Sequence, residues 1–301
     1  MDVVVSGATG FVGDALCRAL VQRGDRVRAL SRRPEAAERR PAIYRAFKWD
    51  PASPSPQAEA FEGAGAVVNL AGESVFGLWT AAKKDRIRRS RVEGTLRLVR
   101  AMAEAADRPR VLVSASAIGY YGDRGEQSLS ESAGPGVDFL AESCLAWEQA
   151  ALEAEKLGVR VALLRIGLVL DSGGGALRQM LPPARLGLGG PLGSGRQWWS
   201  WIHRSDLVRM MLTALDDESW KGPANAVSPG VVRQRDFARA LGAVLRRPAF
   251  LPAPAFVLKT LLDGFAVELL ASRKVTPEAP LERGFQFEYA QLKPALETIL
   301  R

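Results

Sequence analysis

Short apolar runs alternate with amphipathic patterns over the first 170 residues. The runs predict strands at about 2–6, 26–31, 44–48, 66–70, 110–115 and 159–165. Apolar positions three and four residues apart predict helices between them, at about 11–23, 80–105 and 138–157. Strands that alternate with helices form a parallel sheet with helices on both faces. The pattern therefore predicts an α/β, doubly wound parallel sheet.

The pattern changes after about residue 171. The glycine-rich segments DSGGG and LGLGGPLGSG predict loops, and helical patterns follow near 206–216, 234–246 and 254–272. We expect residues 1–170 to form the α/β domain, with sheet elements continuing to about residue 230. Residues 171–301 are expected to form a smaller, mainly helical lobe that contacts the substrate.

The first strand leads directly into a glycine turn, in the segment VVVSGATGFVG at 3–13. In a Rossmann-type βαβ unit, such glycines permit a tight turn, a close approach to a pyrophosphate and close packing of helix on strand. The helix N-terminus then favours the negative charge of the phosphates. The turn therefore predicts a dinucleotide site whose contacts are Gly7, Thr9, Gly10, Phe11, Val12 and Gly13.

The end of the second predicted strand carries Ser31, Arg32 and Arg33. An NAD-binding unit places an acidic residue about twenty residues past the glycines, where it holds the ribose 2′-hydroxyl. Arginine instead matches a 2′-phosphate in charge and in fork geometry. These residues predict NADP as the cofactor. The alternative is that both arginines merely begin a solvated loop that continues through 34–40.

Composition and charge restrict the class of protein. The chain has 301 residues, of which 47% are hydrophobic and 25% charged, as in globular proteins. Even the apolar run 159–170 is interrupted by Arg160 and Arg165, so we expect no membrane span. The first strand begins at residue 2, which leaves no room for a signal or transit peptide. Because Cys17 and Cys144 also fit reduced core thiols, we expect a cytoplasmic protein. One histidine and two dispersed cysteines predict no metal site.

Basic residues are concentrated in the predicted helix within 83–100, and the net charge is +8. They are interleaved with apolar residues at helical spacing, which is typical of an amphipathic helix with a solvated or cofactor-facing side. Steering of an anionic ligand is a second interpretation. We expect a small-molecule substrate and no nucleic acid, with the chain acting as a monomer or homodimer.

Five motifs along the chain occur together: the glycine turn, NLAG at 69–72, SASAIGYYG at 114–122, LRIGLVL at 164–170 and WSWIHRSDL at 199–207. Together they resemble the extended short-chain dehydrogenase/reductase superfamily, and more closely its atypical NAD-dependent epimerase/dehydratase-like subgroup. The tail from Pro252, with RGFQFEY at 283–289, resembles the small C-terminal domain of that subgroup.

The resemblance implies further cofactor contacts. It implies that Leu70, Ala71 and Gly72 line the nicotinamide side of the cofactor and that Arg91 faces the cofactor from the long helix. Arg91 has an equally weighted alternative as an exposed basic residue. Ser114, near the end of its strand, is another candidate contact.

The usual catalytic pair of the superfamily is missing. Its members use a tyrosine as acid or base and a lysine four residues later. The expected helix carries Phe139 and Ser143 at those positions. Tyr44 and Lys48 have the right spacing, but residues four apart on a strand lie about 13 Å from each other.

Four residues are candidates to replace the pair, all in or near one segment: Tyr120, Tyr121, Ser116 and Glu131. Tyr120 and Tyr121 lie just past the strand that carries Ser116, and Glu131 lies in the same loop. This is the carboxyl edge of the predicted sheet, where open α/β proteins place their sites. Alternatively, the two tyrosines pack over the sheet end with their hydroxyls in water.

Two features of the WSWIHRSDL segment invite a role in the site. We expect a structural role for His203 rather than a catalytic one, and we expect Asp206 to be the N-cap of the helix that follows. Trp198, Trp199 and Trp201 predict either the floor of a ligand pocket or a packed interface between lobes.

These observations predict an NADP-dependent oxidoreductase or epimerase-like enzyme that acts on a small carbonyl or hydroxyl compound. The alternative is an NADP-binding sensor or scaffold without turnover, which the missing catalytic pair favours.

Overall fold

The computed structural model describes the backbone of residues 1–301 and all side chains except those of residues 261 and 262. The strands are β1 Asp2–Ser6, β2 Arg26–Ser31, β3 Arg45–Lys48, β4 Ala66–Asn69, β5 Val111–Ala117, β6 Ser128–Leu129, β7 Arg160–Ile166, β8 Leu168–Leu170, β9 Trp198–Trp199, β10 Trp201–His203, β11 Gly222–Ala226, β12 Val232–Arg233 and β13 Lys274–Val275. The helices are α1 Phe11–Gln22, α2 Pro34–Glu38, α3 Ala81–Glu104, α4 Phe139–Leu152, α5 Gly175–Arg185, α6 Arg204–Asp216, α7 Gln234–Leu245, α8 Ala255–Leu262, α9 Gly264–Leu270, α10 Glu278–Glu282 and α11 Leu292–Leu300.

Seven strands form one parallel sheet in the order β11-β7-β5-β4-β1-β2-β3. The chain winds outward from β1 in both directions, which is the Rossmann arrangement predicted from the alternating pattern. Ligands of such sheets bind outside the carboxyl ends of the strands, where the winding reverses. Here that point lies between β1 and β4.

Helices cover both faces of the sheet because its central strands are buried on both sides. All five residues of β1 are buried. On one face, α1 and α6 pack through Leu16, Leu20 and Met211, together with Trp220. On the other face, side chains of α3 and α4 pack with those of β4, β5 and β7. The two apolar layers hold the sheet between them.

A buried ion pair ties α4 to the sheet. Arg165 in β7 forks onto both carboxylate oxygens of Glu148 in α4, at 2.8 and 2.9 Å. Both side chains are almost fully buried. Burial lowers the pKa of Arg165, but hydrogen bonds and attraction to Glu148 outweigh that effect, so the net shift is upward and the guanidinium stays charged.

Several local predictions were wrong. The predicted loop 34–40 contains the short helix α2, with Pro34 at its first position. The single helix predicted at 254–272 is two helices, α8 and α9, separated at Asp263, where the backbone has φ +46°. The glycine-rich region after residue 171 contains α5, and α11 was not predicted.

The WSWIHRSDL segment packs into the C-terminal part of the molecule. Trp199 and Trp201 are buried with Phe237, Leu241 and neighbouring apolar residues. Their indole N–H groups donate to backbone carbonyls of Leu269 (3.3 Å) and Gly230 (2.7 Å). These two tryptophans therefore form packed core rather than the floor of an open pocket.

The predicted N-cap at Asp206 was wrong, because His203 occupies that position. The His203 Nδ1 atom accepts from the backbone N–H of Ser205 at 3.1 Å, and its ring stacks on Tyr289 at 3.7 Å. Asp206 lies in the first turn and accepts from the backbone N–H groups of Glu288 and Tyr289, at 3.0 and 2.9 Å. Both residues anchor the start of α6 to the chain's final segment.

Among the described residues, no helix combines the length and apolar character that crossing a membrane requires.

We expect Glu148→Gln to lower the free energy of unfolding by about 3 kcal/mol, because removing one partner of a buried pair leaves the other charge uncompensated. Urea unfolding followed by tryptophan fluorescence measures the change. Glu153→Gln is the matched control: its pair with Lys156, at 2.7 Å, is exposed, and its loss should cost less than about 1 kcal/mol. Equal losses in the two variants would contradict the importance given to the buried pair.

Candidate functional site

A cavity of about 750 Å³ lies at the carboxyl edge of β1 to β4. Segments that follow four strands line it, which is the expected position for a dinucleotide site in this fold. Its lining includes Gly7, Thr9, Gly10, Ser31, Arg32, Arg33, Arg40, Trp49, Asp50, Leu70, Ala71, Gly72, Glu73 and Ser90.

The glycine turn has the geometry of a phosphate cradle. Gly7 has φ +71°, and the Gly10 N–H donates to its carbonyl at 2.9 Å. A Cβ on Gly7 would lie 2.9 Å from the Leu70 carbonyl oxygen, and a Cβ on Gly13 would overlap the Gly7 carbonyl. Gly10 caps α1 without a side-chain hydrogen bond, so the first N–H groups of the helix are available to an anion. The turn therefore fits a dinucleotide pyrophosphate.

Basic side chains surround the other end of the cavity. Arg32 and Arg33 are exposed, and the Arg33 backbone N–H donates to Ser31 Oγ at 3.1 Å. Arg40 joins them, held at the cavity by a bond of 2.8 Å to Asp14. Guanidinium groups that converge on one space suit a phosphate monoester.

Hydrogen bonds fix the chain after β4 beside the glycine turn. Ser6 Oγ donates to Asn69 Oδ1 at 2.7 Å and accepts from the N–H groups of Leu70 and Ala71, at 3.1 and 3.2 Å. These hydrogen bonds, all made within the protein, hold one wall of the cavity in place.

Arg91 lies behind this wall rather than in the cavity lining. Its guanidinium donates to the carbonyls of Glu73 (2.9 Å) and Ile87 (3.2 Å) and lies 5.1 Å from the Trp147 ring centroid. Burial lowers its pKa. Its contacts position the turn at Gly72 and Glu73.

Four other predicted cofactor contacts lie outside the lining: Phe11, Val12, Gly13 and Ser114. The Phe11 ring lies against Gly174 and under the Arg204 guanidinium, 5.1 Å from its centroid. Ser114 is fully buried and accepts from Asn69 Nδ2 at 3.4 Å. Their assignment as direct cofactor contacts stays a prediction.

Sequence reasoning missed several residues of the lining, among them Arg40, Trp49 and Asp50. A proline followed by a glutamate at 34–35 is a helix-start signal, and α2 is what brings Arg40 back to the end of β2. Trp49 and Asp50 directly follow β3, so their place at the carboxyl edge follows from the parallel sheet.

Three strands bring polar side chains together near the Arg165–Glu148 pair. Ser116 in β5 and Asn225 in β11 are the register partners of Arg165 on either side. Ser116 Oγ donates to Glu148 Oε1 at 2.7 Å. The predicted candidate Ser116 is thus buried and bonded to the ion pair.

Tyr121 belongs to the same network. Its hydroxyl accepts from Arg165 at 3.0 Å and donates to Asn225 Oδ1 at 2.7 Å. Burial raises the pKa of Tyr121 to about 12. At neutral pH its proton is therefore retained and engaged within the protein.

Tyr120 is held differently. The Arg165 guanidinium lies 3.5 Å from its ring centroid, and the Tyr121 ring meets it edge-on at 5.3 Å. Among the described residues, no group hydrogen-bonds to its hydroxyl. Tyr120 thus combines a fixed ring with an unengaged phenol.

Glu131 also reaches this network. Its Oε1 atom accepts from the Asn225 backbone N–H at 2.7 Å, and its carbonyl accepts from Arg165 at 3.2 Å. Its Oε2 atom is buried without a partner among the described residues. The structure therefore brings Ser116, Tyr121 and Glu131 together around Arg165.

The start of α4 shows what replaces the usual pair. Phe139 is the first residue of the helix, and Ser143 is buried with its Oγ donating to the Phe139 carbonyl at 2.7 Å. Neither side chain offers a free acid. Tyr44 is exposed at the entrance to β3, away from the carboxyl edge.

Comparisons with known proteins agree with this architecture. The model of the NAD dependent epimerase/dehydratase family matches residues 3–227, and that of a domain of unknown function matches residues 253–299. A chloroplastic homologue of epimerase family protein SDR39U1 from Arabidopsis thaliana is 42% identical over 306 residues, covering 100% of this chain and 87% of the relative. Epimerase family protein YfhF from Bacillus subtilis is 32% identical, covering 100% and 98%.

A solved structure extends the likeness to three dimensions. The crystal structure of human epimerase family protein SDR39U1 with NADPH has a TM-score of 0.89 and 35% identity, and 99% of each chain is covered. Because the family model spans most of the chain and the relatives match over its whole length, the protein belongs to the NAD-dependent epimerase/dehydratase family.

Proposed function

We propose that this protein binds NADP in the carboxyl-edge cavity and exchanges a hydride with a small carbonyl or hydroxyl compound. The observation that carries the proposal is one cavity lined at one end by the Gly7–Gly10 turn and at the other by Arg32, Arg33 and Arg40. A diphosphate and a separate phosphate monoester need this combination of backbone amides and guanidinium groups.

The human relative supports the choice of cofactor. That protein was crystallised with NADPH, and it matches this chain over nearly its full length. An acidic residue at the end of β2 would repel a 2′-phosphate, whereas Ser31, Arg32 and Arg33 occupy that place here.

When bound, the nicotinamide supplies or accepts the hydride. The residues of the chain bind the cofactor, orient it and move a proton. Amides of the glycine turn hold the diphosphate, and the wall at Leu70 and Ala71, fixed by Ser6, orients the rest of the cofactor.

Tyr120 is our candidate for the proton. Reduction of a carbonyl needs a proton on its oxygen, and oxidation of a hydroxyl needs its removal. Tyr121 serves poorly because its proton is bonded to Asn225 and its pKa is raised to about 12. Tyr120 has no such partner among the described residues, and its ring is held against the Arg165 guanidinium, 3.5 Å from the ring centroid.

A second candidate function is an NADP-binding protein without turnover. The observation that favours it is specific: Phe139 and Ser143 stand at the start of α4 where the superfamily carries its acid and its lysine. A bound cofactor would then stabilise a surface for another molecule.

We expect the double variant Arg32→Ala/Arg33→Ala to weaken NADPH binding about 10- to 100-fold, because two charge-assisted contacts to the 2′-phosphate are lost. NADH binding should change less than about 2-fold, because NADH lacks that phosphate. Titration of cofactor fluorescence measures both. Arg39→Ala is the matched control, since Arg39 lies exposed in the same segment but outside the cavity lining. If the unaltered protein bound NADH as tightly as NADPH, the assignment would be wrong.

We expect Tyr120→Phe to reduce turnover about 100-fold or more, because a general acid contributes about 10²- to 10⁴-fold. Cofactor binding should be unchanged. The assay follows NADPH oxidation at 340 nm with a panel of aliphatic and aromatic carbonyl compounds. Tyr121→Phe is the comparison: it removes a structural hydroxyl and should affect stability more than rate.

An unchanged rate in Tyr120→Phe would remove this residue from the chemistry. If the unaltered protein binds NADPH tightly but no compound of the panel oxidises the NADPH, the result favours the second candidate, an NADP-binding protein without turnover.

A further inference from the structure

Two segments of the C-terminal part of the chain lack acidic residues altogether. Residues 172–205 and 237–262 contain no aspartate or glutamate, although together they carry seven arginines and one lysine. The sequence as a whole has 33 acidic residues, so this gap is a local property of the two segments. Their charge is therefore of one sign.

The fold places the two segments side by side. The Arg247 Nε–H donates to the Arg185 carbonyl at 2.9 Å. Further along, the Ala253 backbone N–H donates to the Pro191 carbonyl at 2.8 Å. The chain from 185 to 191 thus runs beside the chain from 247 to 253, and the outward-facing side chains of both belong to one surface.

Large apolar side chains are exposed on this surface. Among the described residues, 13 large apolar side chains are strongly exposed, and five of them lie in 185–192 and 246–256. They are Leu186, Leu188, Phe250, Leu251 and Phe256, with exposed fractions between 49% and 77%. Soluble proteins usually scatter such side chains singly, and a concentration of them marks an interaction site. We call the exposed side chains of 185–192 and 246–256 the basic apolar face.

The cations of the face are not neutralised within the protein. Arg185, Arg246 and Arg247 are exposed, and none of them forms an ion pair with a carboxylate among the described residues. By contrast Arg239, two turns before Arg246 in α7, lies 3.5 Å from the Asp236 carboxylate. The three guanidinium groups of the face can therefore pair with an external anion, and their planar fork matches a phosphate.

Arginine is the one hydrogen-bonding side chain in the two stretches of the face. Besides arginine, residues 185–192 and 246–256 consist of leucine, phenylalanine, proline, alanine and glycine. Interfaces between proteins usually include neutral polar groups and about ten direct hydrogen bonds. Phenyl and leucyl side chains beside cations are instead typical of segments that lie in the headgroup region of a bilayer. The composition of the face therefore favours a lipid surface over a protein partner.

A second copy of this chain fits the face poorly. In a two-fold dimer the same patch of each subunit meets its counterpart. The arginines of two copies would then face each other, with no aspartate or glutamate in either segment to separate them. Like charges that meet in an interface oppose association.

We propose that the basic apolar face docks the protein on an anionic lipid surface. Phe250, Phe256 and the exposed leucines enter the boundary between headgroups and acyl chains, while Arg185, Arg246 and Arg247 pair with lipid phosphates. Burial of apolar surface and attraction to anionic lipid both contribute to such binding. No residue of the face lines the cofactor cavity, so docking and the proposed reaction are independent of each other.

Co-sedimentation of the full chain with extruded vesicles tests the proposal. We expect binding to vesicles of phosphatidylcholine mixed with phosphatidylglycerol, and this binding should weaken as NaCl is added. Binding to vesicles of phosphatidylcholine alone should be about 10-fold weaker or more, because each arginine near an anionic surface strengthens binding about 5-fold.

The variant Phe250→Ser/Phe256→Ser keeps the net charge of the face and removes two phenyl groups. We expect it to weaken binding to the anionic vesicles about 10-fold or more, because less apolar surface leaves water on docking. Val137→Ser is the matched control: Val137 is 94% exposed outside the face, so its loss should leave vesicle binding unchanged.

The variant Arg246→Gln/Arg247→Gln removes two charges from the face. We expect it to weaken binding to the anionic vesicles about 10- to 25-fold. Arg88→Gln/Arg100→Gln removes two exposed arginines of α3 and lowers the net charge equally, but it should weaken binding less than about 2-fold. All four altered positions are exposed, and circular dichroism melts check that each variant is folded.

Equal losses in the two arginine variants would trace binding to net charge rather than to this face, and unchanged binding in Phe250→Ser/Phe256→Ser would remove the apolar contact. Either result overturns the inference, as does the absence of vesicle binding. In that last case, a dimer that Phe250→Ser/Phe256→Ser dissociates in sedimentation equilibrium would assign the face to a second copy. Retention of poly-L-glutamate would assign it to an acidic protein. NADPH titration of the same variants tests the proposed function separately.

Discussion

The charge of Arg165, buried inside a parallel sheet, is the constraint that organises the carboxyl edge. A guanidinium in that position must be paired, and three residues accept its hydrogen bonds: Glu148 in α4 through both carboxylate oxygens, Tyr121 through its hydroxyl and Glu131 through its carbonyl. Because these acceptors come from α4, the turn after β5 and the loop after β6, one cation in β7 holds together segments that are far apart in sequence. The Tyr120–Tyr121 turn is held both by this pairing and by backbone hydrogen bonds, from Gly122 N–H to the Gly119 carbonyl and from Gly136 N–H to the Tyr120 carbonyl.

The two halves of the crevice use different physical interactions. At the phosphate end, backbone amides and guanidinium groups can donate hydrogen bonds to an anion. At the other end, Trp79, Phe139 and Phe265 pack in one apolar cluster, and the Trp79 indole N–H donates to the Val75 carbonyl. The carboxyl edge is therefore polar where the phosphates would bind and apolar where the segment after β4 meets α4 and α9.

The parts that could be predicted from the sequence are those determined by neighbouring residues. The glycine turn follows its strand directly, and Ser31 to Arg33 end the next one, so local pattern and chain position were enough. The Arg165 network was different, because Ser116 and Asn225 become its partners only through the order of β5, β7 and β11 in the sheet. The break at Asp263 was also hidden: its backbone adopts φ +46° inside an apolar run that favours one continuous helix. The partners of Arg91, likewise, depend on where Trp147 lies in the fold.

Family membership describes the scaffold more closely than it describes the chemistry. At the start of α4 this chain places Phe139, and that ring takes part in an aromatic contact with Trp79 instead of offering a proton. The substitution changes two properties of the site together: it removes an acid and adds apolar surface at the same point. The proton for a hydride transfer at this site would therefore come from Tyr120, which lies in the turn after β5 with its ring stacked on Arg165. The same buried cation that fixes the sheet to α4 would then also position the acid, so stability and chemistry would depend on one residue.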